Sequence, residues 1–148
     1  MKRILSTLFL FTILSVASAF AQTKVSAKHQ QWMQEMKQAK LEFMIKELQI
    51  KDNQKAKFTE AFNAMEAELC KVRNETNKMR RAVEKKKDAT DLEYEKAAEA
   101  IVEAKIKEGN IEKKYFDRFK TILSSEQLFR MKKADMKWMK ELMKHRKK

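Results

Sequence analysis

Proline is absent from this sequence and glycine occurs once, at Gly109. A chain without the two main helix breakers can run uninterrupted helices wherever apolar residues recur at the helical period. They do so throughout. Phe58, Phe62, Met65, Leu69, Val72, Thr76, Met79 and Val83 follow one another at alternating steps of four and three. This heptad seam has one polar member, Thr76, and predicts a single helix over about 52–86. At ~1.5 Å per residue that helix is ~50 Å long, which implies an elongated molecule. Tyr94, Ala97, Ile101, Ala104, Glu108, Ile111, Tyr115, Arg118 and Ile122 carry the same rhythm onward. The phase does not slip at Gly109, which places Gly109 inside a helix; a break or kink there is the alternative. No Val/Ile/Thr-rich alternating run could pair as a sheet. The expected fold class is all-α: an elongated four-helix antiparallel hairpin or cradle with long central helices.

Helix starts are marked by capping chemistry. In "KKKDATDLEYE", Thr90 and Glu93 make a Thr-x-x-Glu capping box, so the chain turns near 88–89 and a helix starts after Thr90. Ser124 and Gln127 make the same box in "ILSSEQLFRMKK", preceded by Ile122 and Leu123 as apolar staples. This predicts a last helix over 125–144, with Leu128, Met131, Trp138, Met139, Leu142 and Met143 as apolar positions. A first helix over 26–47 carries Trp32, Met33, Met36, Phe43 and Met44. It is followed by "LQIKDNQ", in which Ile50 and Gln54 repeat the spacing of Leu123 and Gln127.

Residues 1–21 read as a secretory signal peptide. Lys2 and Arg3 form the positive start, "ILSTLFLFTILSVA" the apolar run, and "AFA" at 19–21 the small-x-small cleavage site. The apolar run is short and lacks a basic stop-transfer flank, unlike a membrane anchor. Cleavage leaves residues 22–148 as one domain, and the formal net charge of +13 becomes +11 without Lys2 and Arg3. Export argues against nucleic acid as the partner of so basic a chain; acidic segments of other proteins or contact with an anionic membrane surface fit better. Cys70 is the only cysteine, so no internal disulfide can form.

The two copies of apolar residue, break and glutamine resemble the Leu-Thr-x-x-Gln signature of the Spy/CpxP family of periplasmic proteins. Leu123, Ser124 and Gln127 follow it closely, with serine in place of threonine. Ile50 and Gln54 follow it less closely: Lys51 replaces the capping threonine, and Asp52 is the candidate cap instead. The resemblance extends over signal peptide, chain length and helical pattern. It implies a cradle-shaped, antiparallel helical homodimer that binds unfolding envelope proteins without ATP, in a family that includes stress-response regulators and metal-responsive members. A trimeric chaperone of the Skp type is also basic and long-helical, but needs a strand-rich assembly core.

Enzyme chemistry has little to stand on. A phosphate-cradling loop needs several glycines, and His29 and His145 lie near opposite ends of the mature chain expected after cleavage. No cofactor is expected and no catalytic set stands out. The ten methionines could hold soft Cu(I) as thioethers, but helical methionines more simply fill a core or seam, and no metal site is assigned. Trp32, Met33, Met36, Phe43 and Met44 occupy more than one narrow stripe, so some could line an open client-binding groove; a dimer contact is the alternative. Arg73, Arg80 and Arg81 lie in the densest basic stretch and are candidate client contacts, or parts of a solvated helix face. The leading expectation is a periplasmic chaperone that captures clients by charge and weak apolar contact. The alternative is a regulatory binding module, a sensor-kinase partner or a metal-responsive accessory protein.

Overall fold

The structure, a computed structural model, describes residues 14–145. The expected signal peptide lies largely outside the described residues, as do residues 146–148 of the basic tail. Four helices follow one another: α1 (Leu14–Glu47), α2 (Asp52–Lys85), α3 (Asp91–Phe119) and α4 (Ser125–His145). No strand occurs among the described residues, so the all-α expectation holds. Helix α1 begins at Leu14 rather than near residue 26. The reason is local: the end of the apolar run carries Ala17, Ala19 and Ala21, and no breaker separates it from the amphipathic part of the helix.

The chain divides into two compact units, one up to Ala39 and one from Lys40 onward. In the first, α1 shows Gln31 Nε2 donating to Glu35 Oε1 at 2.9 Å, one helical turn apart.

The second unit holds the core. Leu41, Met44 and Leu48 at the end of α1 pack with Phe58, Ala61, Phe62, Met65 and Leu69 of α2. Tyr115 and Phe119 of α3, Leu123 of the following turn, and Met131 and Ala134 of α4 complete it. Phe58 sits at its centre, with ring centroids 5.6 Å from both Phe62 and Phe119. Such aromatic pairs contribute beyond their buried area. Beyond Leu69 the long α2 seam thins: Val72, Thr76 and Val83 are half-buried and Met79 is exposed. The polar seam member is satisfied locally, as the Thr76 hydroxyl donates to the Val72 carbonyl at 2.9 Å.

Gly109 lies within α3, and a Cβ added there meets nothing within 4 Å. Gly109→Ala is therefore expected to stabilise the protein by ~0.5–1 kcal/mol, raising the urea midpoint without changing the slope.

The Thr90 box forms as expected. The Glu93 N–H donates to Thr90 Oγ at 3.3 Å, and the Thr90 N–H donates to Glu93 Oε2 at 2.9 Å. Lys86 Nζ donates to Glu93 Oε1 at 2.6 Å. Lys86 first, and then the Thr90 N–H, hold the Glu93 carboxyl down to about 2 from an ordinary 4.5. A carboxylate with a lowered folded value stabilises fully above its ordinary value and loses that effect as pH falls through the folded one. Acid titration by far-UV circular dichroism is expected to show helix loosening between about pH 4.5 and 2 that is reduced in Glu93→Gln.

Candidate functional site

The two repeated motifs meet. Gln54 Nε2 donates to Gln127 Oε1 at 3.0 Å, and Gln127 Nε2 donates to Gln54 Oε1 at 3.0 Å. Each glutamine also closes its own helix start. Gln54 Oε1 accepts from the Lys51 N–H at 3.1 Å, and Gln127 Oε1 from the Ser124 N–H at 3.0 Å. Each then reaches the turn that precedes the other helix. Gln54 Nε2 donates to the Ile122 carbonyl at 2.7 Å, and Gln127 Nε2 to the Leu48 and Gln49 carbonyls at 3.3 and 3.4 Å. The result is a paired-amide lock with approximate two-fold logic, joining the α1–α2 and α3–α4 turns. Gln127 is buried and Gln54 half-buried, so these bonds form largely away from water.

The two halves of the lock differ where the sequence suggested they would. Ser124 Oγ accepts from the Gln127 N–H at 3.2 Å and completes a reciprocal box. Lys51 is the N-cap of α2 and has no side-chain acceptor, so only the glutamine half of that box exists. Asp52 does not replace it. It is the first residue of the helix, where its charge meets the positive end of the helix dipole. Gln49 adopts a left-handed backbone with φ of 51°. The Ile50 N–H donates to the Ile45 carbonyl and the Gln49 N–H to the Lys46 carbonyl, a Schellman helix ending made without glycine. Arg130 Nη1 donates to Gln49 Oε1 at 3.1 Å and ties this turn to α4. Ile50 and Leu123 pack on and in the core on either side.

The apolar candidates of the first helix separate. Trp32 is half exposed, while Met33 and Met36 are partly covered, all three in the N-terminal unit. Phe43 and Met44 belong to the second unit. Met44 is fully buried, which removes it as a surface contact: it shares the inward face of α1 with Leu41 and Leu48. Phe43 is half-buried, its ring centroid 5.3 Å from that of Trp138. Among the basic candidates, Arg73 pairs with Glu108 at 3.3 Å and Arg80 with Glu84 at 2.7 Å, while Arg81 is exposed.

An open groove of about 680 Å³ runs through the second unit. Met65, Leu69, Phe116, Phe119 and Met131 line it, with Met136 and Met139 also bordering it. Its charged residues include Lys40, which holds Glu66 at 2.7 Å and Asp135 at 3.5 Å, and Lys132, which holds Glu112 at 2.7 Å. Burial pushes the Asp135 carboxyl up, against the pull of Lys40. Lining of this kind, apolar with paired charges, can cover apolar side chains of a partner without demanding one shape.

Much of the exposed apolar surface lies outside the candidates that the sequence pattern points to. Leu92, Tyr94, Val102, Ile106 and Phe129 are each more than half exposed, as are Met136, Met139 and Met143; Met79 is nearly so. The signal was available for Val102 and Ile106, which are apolar but off the α3 seam. Among the described residues, no cluster of three His, Cys, Asp or Glu could hold a metal ion, and no helix is long and apolar enough to cross a membrane. Cys70 is half-buried and accepts from Asn74 Nδ2 at 3.4 Å.

No family model, curated protein or solved structure matches the chain. The resemblance to the Spy/CpxP proteins rests on the combination of motif residues, signal peptide, chain length and helical pattern.

Proposed function

We propose that this protein, exported to the periplasm and freed of residues 1–21, is an ATP-independent chaperone for unfolded or aggregation-prone envelope proteins. It works as a homodimer of antiparallel helical cradles. One observation carries the reading: large apolar side chains stand half exposed or more along α3 and α4, beside a closed core with no unsatisfied buried side-chain polar atom among the described residues. Exposed apolar surface on a fold that satisfies itself elsewhere marks an interaction site.

Capture has two steps. Net positive charge raises the encounter rate with clients bearing acidic segments. Methionine and aromatic side chains then cover apolar client surface by weak, adaptable contacts, and release leaves the client free to fold. Light scattering from a denaturing client is expected to fall at comparable molar amounts of the protein, equally with and without ATP, and less so at high salt. Full aggregation of several unrelated clients would reject the reading.

A further inference from the structure

Helix α4 carries an outward face of one kind. From Phe129 to Lys144 its exposed apolar residues are Phe129, Met136, Met139 and Met143. Every other exposed residue in that stretch is a lysine: Lys132, Lys133, Lys137, Lys140 and Lys144. The two carboxylates of that stretch, Asp135 and Glu141, are half-buried and lie in ion pairs with Lys40 and Lys144. Phe129, Met136 and Met143 recur every seven residues and so lie along one line of the helix, ~21 Å from first to last. Lys133, Lys140 and Lys144 follow one flank of that line. Lys133 and Lys140 form no ion pair among the described residues, and Lys133 Nζ lies 4.9 Å from the Phe129 ring centroid. Lys132, Lys137 and Lys144 pair with Glu112, Glu47 and Glu141 at 2.6–2.8 Å. Exposed pairs of this sort are weak and yield to a competing anion.

We propose that this face of α4 docks the protein peripherally on an anionic lipid bilayer. A straight line of apolar side chains suits a flat partner, with Phe129 and the methionines entering the headgroup boundary and the lysines meeting lipid phosphates. A second copy presenting the same face would set lysine against lysine. The other exposed apolar residues sit on a face of mixed charge. On α3, Leu92, Val102 and Ile106 are interspersed with exposed Glu95, Glu99 and Glu103 and with exposed Lys96, Lys105 and Lys107, so that stretch offers an anionic bilayer no net positive charge. The contact is interfacial, since no described helix can cross. This inference does not require the chaperone reading, although both draw on the exposed apolar residues of α4.

Co-sedimentation of the purified protein with vesicles tests it. Vesicles of phosphatidylglycerol and phosphatidylcholine in equal parts are expected to bind the protein at low salt, and vesicles of phosphatidylcholine alone to bind it at least ~10-fold more weakly. Each lysine near such a surface contributes roughly a five-fold factor, so Lys133→Glu with Lys140→Glu is expected to weaken binding at least ~10-fold. Phe129→Ser with Met136→Ser and Met143→Ser should weaken it as well, while Val102→Ser with Ile106→Ser on α3 should not. Failure of the unmutated protein to bind the mixed vesicles overturns the proposal. So does equal binding by the α4 and α3 variants. A lysine variant that binds vesicles normally but loses client protection or self-association would assign the face to a polypeptide or a second copy instead.

Discussion

Replacing Gln127 with alanine is expected to lower the unfolding free energy by about 2–4 kcal/mol, read as a fall in the urea midpoint at unchanged slope. The size follows from what the substitution strands. The Gln54 amide loses both its bonds to Gln127, the Leu48 and Gln49 carbonyls lose a donor, and the Ser124 N–H at the start of α4 loses its acceptor. Leaving buried polar groups unpaired costs more than the net worth of the bonds themselves. Gln54→Ala is expected to cost a similar amount for the same reason. The double variant should cost less than the two together by at least ~1 kcal/mol, because neither amide is then left without its mate. Strict additivity of the two losses would show that the glutamines act separately, each as a local cap.

The largest loss is expected at Phe119, where alanine should cost about 3–5 kcal/mol. Phe119 is fully buried against Phe58, where the last turn of α3 meets the core. Truncation leaves a void beside Phe58 within the core. Against a total stability of ~5–15 kcal/mol, the variant should melt far below the parent. Phe129, exposed on α4, gives the contrast: its alanine variant should stay within ~0.5 kcal/mol of the parent by the same urea measurement.

These two sites differ in how far the sequence discloses them. The helices themselves are legible because their signals are local. The seam from Phe58 to Val83 predicts α2 to within one residue at its end, Thr90 and Ser124 mark the starts of α3 and α4, and the unbroken phase keeps Gly109 inside α3. The repeat of Ile50 and Gln54 at Leu123 and Gln127 is visible too. Its meaning is not, because the two glutamines lie 73 residues apart and nothing in a local pattern says that they touch. The turn at Gln49 is hidden for a different reason: its left-handed backbone is held by tertiary bonds to Gln127 and Arg130, without the glycine that usually announces it. Met44 shows the limit of composition. It has the same chemistry as the exposed Met136, and only the position of α1 against α2 decides which one is covered.

Exposure of apolar side chains is the central claim, and one measurement separates use from accident. Met79→Ser, Val102→Ser and Ile106→Ser together remove part of the uncovered surface on α2 and α3 while leaving the core intact. Light scattering from an aggregating denatured client, with this variant set beside the parent at equal concentration and without nucleotide, is the direct test. The variant is expected to melt with the parent yet to protect the client measurably less. Equal protection by a variant of equal stability would contradict the claim.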